Sequence, residues 1–208
     1  MIQRAEVADV FAENAYFYID DKTRQGFVID PGAEGERLYD LIKRENLDIK
    51  AILLTHGHFD HTGAVEYLSK KLDIPYYISQ SGQAYLTNPR LNLSEECGRY
   101  IVLPDAKFFN DGDFLSLPDN PEFGLRVIVT PGHTPDSVTF YSPEEGAAFV
   151  GDAIFKGSPG TSQFPGGDQR ELYASIMNKI LTLPDDTVLY SGHTPPTSVG
   201  AEKPNYLG

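Results

Sequence analysis

The stretch Thr55-His56-Gly57-His58-Phe59-Asp60-His61 directly follows four apolar residues, 51–54, that predict a buried strand. Its first two histidines are two residues apart, as in an extended loop, whereas ligands on one helix face would be three or four apart. Imidazole together with carboxylate is a ligand set for zinc, iron or manganese. The stretch therefore predicts a metal site in a loop that enters a helix. The alternative is that Asp60 caps this helix and the histidines are exposed.

Three further segments also follow apolar runs that predict buried strands. The runs are 125–130, 147–150 and 188–190, and the segments are Pro131-Gly132-His133, Gly151-Asp152 and Ser191-Gly192-His193. With the first stretch, these segments contain all five histidines of the chain. Glycine-containing loops at strand ends are positions where a rigid scaffold can bring ligands together. We therefore expect the four segments to form one site.

The number of candidate ligands indicates two metal ions, because one catalytic zinc usually takes three protein ligands and a water. We expect two divalent cations, with zinc as the first choice and iron or manganese as alternatives. A hydroxide shared by the two ions would be the nucleophile, with a pKa lowered towards about 7. Asp60 is predicted to be catalytic as well as a ligand. The predicted ligands are His56, His58 and His133 for one ion, Asp60, His61 and His193 for the other, and Asp152 between them.

The rest of the chain alternates short apolar runs with amphipathic stretches, which predicts an α/β fold without repeats or linkers, in a single domain of residues 1–208. Strands in both halves favour two sheets with helices on their outer faces, although the periodicity also fits one doubly wound sheet. Residues 81–110 are predicted to be loop with a short helix. Further strands are predicted at 15–20, 26–30, 76–78, 114–117 and 138–141, and helices around Leu38–Ile42, Val65–Leu72 and Leu172–Leu181.

The chain has 208 residues and a formal charge of 17 − 30 = −13. This balance, without a basic cluster, disfavours nucleic-acid binding, which depends on clustered Lys and Arg. No apolar run has the length of a signal-peptide core or a membrane span. The single cysteine, Cys97, has no second thiol to pair with and receives no predicted role. We expect a soluble, cytoplasmic protein that acts on a small molecule, without a nucleic-acid or membrane partner.

These motifs resemble those of the metallo-β-lactamase-fold hydrolases, and in particular the short glyoxalase II-like (hydroxyacylglutathione hydrolase-like) proteins. The resemblance covers nearly the whole chain and includes Val28-Ile29-Asp30-Pro31-Gly32 and Phe164-Pro165-Gly166-Gly167-Asp168. It implies a four-layer αββα sandwich and the same division of ligands between two metals. It also implies hydrolysis of S-2-hydroxyacylglutathione thioesters. A thiolate, whose thiol has a pKa near about 8.5, can leave without a general acid.

Three features depart from the family pattern and concern the substrate. Thr161 lies where relatives carry an arginine or lysine, and Asp136 lies where glycine is common. Only residues 194–208 follow the last histidine, whereas long glyoxalase II enzymes have a helical domain there that contacts glutathione. Glutathione carboxylates are normally bound by Arg or Lys, for which Lys156 and Arg170 are the candidates. The expected substrate is therefore a small-molecule thioester, with glutathione as one alternative for the thiol carrier.

Other functions fit parts of the pattern. Persulfide dioxygenases share the resemblance but use a single iron held by two histidines and one aspartate, so metal identity discriminates between the two readings. A lactonase or β-lactamase-like hydrolase would be separated by product assays. A non-catalytic binding module would be expected to have lost ligands, and all seven are present. A ribonuclease would need a nucleic-acid-binding surface, which the charge of −13 disfavours.

Overall fold

The structure is a computed structural model that describes residues 1–207. The first of its two large sheets has six strands that are neighbours in chain order. The first three strands are antiparallel neighbours, and the third to sixth run parallel. Parallel neighbours need crossover connections, which here contain helices. The strands are β1 (Ile2–Ala8), β2 (Ala12–Ile19), β3 (Gln25–Ile29), β4 (Asp48–Leu53), β5 (Tyr76–Ser79) and β6 (Lys107–Phe109).

The second sheet also has six strands, which in spatial order are β14 (Thr197–Ser198), β13 (Val188–Ser191), β10 (Ala147–Gly151), β9 (Val138–Ser142), β8 (Asn120–Val129) and β7 (Phe114–Leu117). Strands β10 and β13 pair parallel, and the other neighbouring strands in this order pair antiparallel. Two short strands, β11 (Ile154–Phe155) and β12 (Ser158–Pro159), form a separate hairpin.

Six α-helices connect or flank the strands in the described part of the chain. In the first, Leu38, Leu41 and Ile42 are buried at helical spacing, and Lys43 and Arg44 lie in the last turn, where they complement the helix dipole. The fifth helix continues through a wider π-helical turn, Ile176–Ile180. The helices are α1 (Gly35–Arg44), α2 (Phe59–Thr62), α3 (Val65–Leu72), α4 (Gln83–Thr87), α5 (Gln169–Ser175) and α6 (Val199–Leu207).

Strand β2 shows how the layers are arranged. Its residues Ala15, Phe17 and Ile19 face the hydrophobic core shared with α1 and α3, whereas Tyr16 and Tyr18 face the core between the sheets. A third core packs α5 against the outer face of the second sheet. Successive side chains of a strand point to opposite faces, so a sheet covered on both sides has a continuous apolar run. The order of layers is helix, sheet, sheet, helix, which confirms the predicted four-layer sandwich.

Several elements differ from the sequence prediction. Strand β1, the small strands β11, β12 and β14, and helix α6 were not predicted. The segment 81–110 contains the expected short helix, α4, but also ends in β6, which the loop prediction missed. Strand β8 begins at Asn120, five residues before its predicted start. None of the helices within residues 1–207 has the length and apolar character that crossing a bilayer requires.

Candidate metal centre

Four loops bring the seven predicted ligands together. One loop follows β4 of the first sheet and leads into α2, and the others follow β8, β10 and β13 of the second sheet. Both sheets therefore contribute to one site. The first sheet contributes His56, His58, Asp60 and His61, and the second contributes His133, Asp152 and His193.

The backbone conformation explains the spacing of the histidine motif. His58 has an extended backbone, with φ −67° and ψ 151°, and occupies the N-cap position of α2. Side chains two residues apart in an extended chain point to the same side, so His56 and His58 face together. Asp60 and His61 lie within the helix. The predicted loop entering a helix is confirmed; the alternative of Asp60 as the cap with exposed histidines is wrong, since all three histidines are buried.

The first group consists of His56, His58 and His133, all of which are buried. Nδ1 of His58 lies 3.1 Å from Nε2 of His56 and 3.0 Å from Nε2 of His133. One nitrogen can supply at most one proton to these two neighbours. Nitrogen lone pairs therefore face one another at hydrogen-bond distance.

Hydrogen bonds on the far sides of two of these rings fix their tautomers. Nδ1 of His133 donates to the backbone carbonyl of Thr161 at 2.7 Å. The hydroxyl of Thr55 donates to Asp30 at 2.5 Å and therefore accepts from Nδ1 of His56 at 3.1 Å. Because the proton is on Nδ1, Nε2 of each neutral ring presents a lone pair to the first group.

The second group consists of Asp60, His61 and His193, whose ligand atoms lie within 4.8 Å of one another. Nε2 of His193 is 3.4 Å from Oδ2 of Asp60. On the far sides of the rings, Nδ1 of His193 donates to the carbonyl of Ala12 at 2.7 Å, and Nδ1 of His61 donates to Asp30 at 3.1 Å. Nε2 of both rings therefore faces the second group.

Asp152 lies between the two groups. Its Oδ2 is 3.7 Å from Nε2 of His133 in the first group and 3.2 Å from Nε2 of His193 in the second. Its Oδ1 is 3.4 Å from Nε2 of His61. Gly192 leaves the necessary space, because a Cβ at that position would lie 2.5 Å from both Asp152 Oδ1 and His61 Cε1. One carboxylate therefore contacts both groups.

The charges of the two groups differ. Burial, aided by neighbouring imidazoles, lowers the pKa of His58 to about 3, and it lowers the pKa of His56 well below the usual value for the same reasons. Burial also opposes a charge on His193, but hydrogen bonds to Asp152 and Asp60 outweigh it and raise the pKa of His193 to about 10. The first group is a set of neutral imidazoles, whereas the second pairs imidazole with carboxylate.

The polar atoms of both groups fit divalent cations. Nε2 of His61 and Oδ1 of Asp152 are buried and have no hydrogen-bond partner among residues 1–207. Such atoms are unfavourable in a protein interior unless something satisfies them. Convergent imidazole lone pairs and carboxylates are the donors that zinc, iron and manganese take. The binding of metal by these residues stays a prediction.

Two buried acids beside His61 were not among the predicted site residues. Asp30 accepts hydrogen bonds from the Thr55 backbone at 2.8 Å and from His61, so it orients that ring from behind. Oε1 of Glu13 lies 3.8 Å from Nδ1 of His61, and burial raises the pKa of Glu13 well above its usual value. Asp30 lies in the motif formed by residues 28–32, and this motif could have identified it as a site residue. Nothing in the sequence around Glu13 marks it.

The active-site cleft, about 840 Å³ in volume, opens onto both groups. The ligand side chains on its wall are those of His58, Asp60, Asp152 and His193. Its remaining wall is apolar or uncharged and polar, and comprises Phe11, Ala12, Phe59, Leu93, Phe155, Ser158, Pro159, Gly160, Thr161, Ser162, Gln163, Phe164 and Gln169.

Comparison with known proteins places the chain in a family. A family model described as the metallo-beta-lactamase superfamily matches residues 8–193. The probable metallo-hydrolase YqgX of Bacillus subtilis is 40% identical over 191 residues, which cover 91% of this chain and 89% of the relative. The hydroxyacylglutathione hydrolase GloC of Haemophilus influenzae is 36% identical over 199 residues, with 93% and 91% of the two chains covered.

Solved structures agree with the sequence relatives. The crystal structure of BLEG-1 B3 metallo-beta-lactamase has a TM-score of 0.92 and 37% identity, with 99% of this chain and 98% of that chain covered. The structure of TTHA1623 in a di-iron-bound form has a TM-score of 0.85 and 35% identity, with 96% of each chain covered. The chain belongs to the metallo-beta-lactamase superfamily, and its fold and donor set are those of a metal-dependent hydrolase.

Proposed function

We propose that the chain hydrolyses small-molecule thioesters in the cytoplasm, with two divalent cations held by the first group, the second group and Asp152. The wall of the active-site cleft carries this proposal. Apart from the ligands, its side chains within residues 1–207 are hydrocarbons, hydroxyls or amides, none of which is a good proton donor. A leaving amine needs a proton, whereas a thiolate does not. The cleft therefore favours a thioester over an amide or a β-lactam.

Two of the similar proteins support the proposal. The relative at 36% identity is named a hydroxyacylglutathione hydrolase, and hydroxyacylglutathione is a thioester. The similar structure at 35% identity holds two iron ions, which supports a two-metal centre. Zinc is the metal we expect, and iron fits the same donors.

The chain's own residues have separate roles in this proposal. When bound, the cations would act as Lewis acids that polarise the substrate carbonyl and lower the pKa of water towards about 7. The negative charge of Asp152 compensates positive charge at both groups. Its carboxylate also fixes the position of one group relative to the other, because it contacts both. Asp60 reaches the wall of the cleft with only 15% of its side chain exposed, and its carboxylate orients water there. The carbonyls of Thr161 and Ala12 keep the rings of His133 and His193 in place.

Release of thiol from S-lactoylglutathione and from S-lactoyl-N-acetylcysteamine tests the proposal. With zinc-loaded protein, we expect turnover of at least one of these thioesters. The variants His58→Ala and Asp60→Ala each remove a ligand, so they should lower kcat/KM by about a hundredfold or more. Circular dichroism should show that both variants remain folded.

Asp40→Ala is the matched control, because Asp40 is exposed on α1, outside the cleft. It should leave turnover unchanged. Unaltered turnover in His58→Ala or Asp60→Ala would contradict the proposed roles. Oxygen uptake with a persulfide, without hydrolysis of any thioester, would replace the proposal with the dioxygenase alternative.

A further inference from the structure

The active-site cleft has an aromatic ring beside each metal group. The ring of Phe164 lies 5.5 Å from that of His58 in the first group, and the ring of Phe155 lies 6.0 Å from that of His193 in the second. Phe11 adds a further ring on the wall. Large apolar side chains that stay exposed around a concave site are a mark of ligand binding.

Two of these rings remain open to solvent. Phe11 is 53% exposed and Phe164 is 41% exposed. Contact of either ring with an apolar group of the substrate would contribute favourable binding free energy, because burial of apolar surface is favourable in proportion to its area. The cleft therefore offers apolar surface next to the reacting centre and also at its rim.

Apart from the metal ligands, the part of this wall formed by residues 1–207 has no positively charged side chain. Within residues 1–207, no Lys or Arg side chain lines the cleft. Lys156 and Arg170 are neighbours of lining residues in the sequence, but both are exposed and neither lines the wall. The polar groups that line it, apart from the metal ligands, are uncharged, and the chain as a whole has a charge of −13. The negative charge of the chain would repel a substrate with free carboxylates at long range, and these carboxylates would have no cationic partner in the cleft.

We infer, on the basis of the proposed thioesterase function, that the acyl group of the substrate is apolar, that its thiol carrier is uncharged, and that glutathione is not this carrier. Glutathione has two carboxylates, and each would need a Lys or Arg side chain as a partner, which the wall formed by residues 1–207 does not contain. An aromatic or alkyl acyl group on a neutral thiol matches both the exposed rings and the uncharged polar groups. The inference concerns which thioester is bound and leaves the hydrolytic chemistry as proposed above.

Thr161 is the position at which the inference can be tested by substitution. Its backbone carbonyl accepts from Nδ1 of His133, so its backbone is held in place, while the residue lines the cleft. Replacement by arginine adds the missing positive charge, and replacement by glutamine adds length without charge. The pair Thr161→Arg and Thr161→Gln separates the effect of charge from that of size.

The first experiment measures binding, so that its result does not depend on turnover. Two thioethers that cannot be hydrolysed, S-benzyl-N-acetylcysteamine and S-benzylglutathione, are titrated into the metal-loaded protein by calorimetry. They share the apolar group, whereas the glutathione carrier is larger and adds two carboxylates and one ammonium group. We expect the neutral thioether to bind about tenfold more tightly or better. Equal affinity, or tighter binding of the glutathione thioether, would overturn the inference.

The second experiment compares kcat/KM for phenylacetyl and lactoyl thioesters of the same two carriers. We expect the phenylacetyl thioester of N-acetylcysteamine to be the best substrate of the four, by about tenfold over its glutathione counterpart. Thr161→Arg should reduce this ratio at least about fivefold, and Thr161→Gln should leave it unchanged. A preference for S-lactoylglutathione would overturn the inference while leaving thioester hydrolysis intact. Absence of all hydrolysis refutes the proposed function, and the binding experiment then still decides about the charge of the ligand.

Discussion

At the scale of single residues, the most unusual side chain outside the metal groups is Asp136, a fully buried carboxylate. It packs against the loop between the first two histidines, with Oδ2 3.5 Å from the position that a Cβ on Gly57 would take. Burial raises the pKa of Asp136 to about 6, from an ordinary value of 3.8, and neither carboxylate oxygen has a hydrogen-bond partner among residues 1–207. The ionised carboxylate is therefore less stable in the folded protein than in the unfolded chain.

This makes the stability contribution of Asp136 dependent on pH. Above pH 6 the side chain is ionised in both the folded and the unfolded state, and its burial lowers the free energy of unfolding by the full amount. As pH falls from 6 to 3.8, Asp136 is protonated in the folded protein before it is protonated in the unfolded chain, and this destabilisation disappears. We expect Asp136→Asn to be more stable than the parent by about 3 kcal/mol at pH 8, and the difference to shrink towards pH 4. Urea denaturation at both pH values measures it. A difference that does not change with pH would show that Asp136 is not the titrating group.

The partners that fix the ring orientations lie beyond the reach of sequence reasoning. The seven metal-site residues could be proposed because the chain has only five histidines, and these and the two aspartates lie in short segments directly after predicted strands. The groups behind the rings of His133 and His193 are backbone carbonyls, of Thr161 and Ala12, and every residue has a carbonyl. Glu13 shares a site with His61 across 48 positions, and no local pattern connects the two.

At the scale of elements, helix α5 illustrates how the structure supports the cleft. Asp168 occupies its N-cap, where the side chain accepts hydrogen bonds from the backbone amides of Arg170 and Glu171. The amide of Asp168 in turn donates to the carbonyl of Gly132, next to a metal-group histidine. A Cβ on Gly132 would lie 2.1 Å from the backbone nitrogen of Leu172, so glycine permits this close approach of loop and helix.

The cap gives a prediction about α5. Asp168→Ala removes the acceptor for two amides and should lower the free energy of unfolding by about 1 kcal/mol, whereas Asp168→Asn, which keeps an acceptor, should lower it by only a few tenths. Because Gln169, the first residue of α5, lines the cleft, KM should rise in the alanine variant more than kcat falls. Thermal denaturation and steady-state kinetics provide both measurements. Equal stability of the alanine and asparagine variants would show that the cap contributes nothing.

The elements that the sequence did not predict share a physical cause. Only Ala5 and Val7 are buried in strand β1, and its other residues do not form a clear pattern of alternating apolar and polar residues. Strand β6 has three residues, too few for a period, and forms because β5 is available as a parallel partner. Helix α6 contains Pro204, which disfavours a helix when judged locally. By contrast, the predicted helix with Leu38, Leu41 and Ile42 has a clear apolar face and was found as expected.

At the scale of the whole molecule, the periodicity alone left two layer arrangements open. Strands buried on both faces occur in a doubly wound sheet and equally in a sandwich covered by helices. The number and order of strands within each sheet distinguish the two arrangements. Both depend on pairings between strands far apart in the chain, such as that of β10 with β13, which are separated by the segment that contains α5. The family resemblance supplied the answer that the pattern lacked, because His-x-His-x-Asp-His with its later partners specifies a whole arrangement of loops.

The position of the site predicts that metal stabilises the entire fold. The loop after β4 belongs to the first sheet, and the residues His133, Asp152 and His193 follow strands of the second, so cations bound between them would cross-link the two sheets. Without a cation, the lone pairs of the first group face one another at 3.0 to 3.1 Å, and Asp152 Oδ1 is buried without a partner among residues 1–207. A ligand present at a hundred times its Kd stabilises the folded state by about 2.7 kcal/mol per site.

Removal of both cations by a chelator should therefore lower Tm by about 10 to 20 °C, about half of it for each site, and addition of zinc should restore it, since about 1 kcal/mol corresponds to about 2 to 4 °C for a chain of this size. Differential scanning fluorimetry with zinc, iron(II) and manganese(II) measures the effect and ranks the three metals. The variant His58→Ala serves as the control, because loss of one first-group ligand should reduce the shift caused by zinc. A Tm that is the same with and without metal would mean that the two sheets are held together by their apolar core alone, and that the seven ligands do not bind cations tightly.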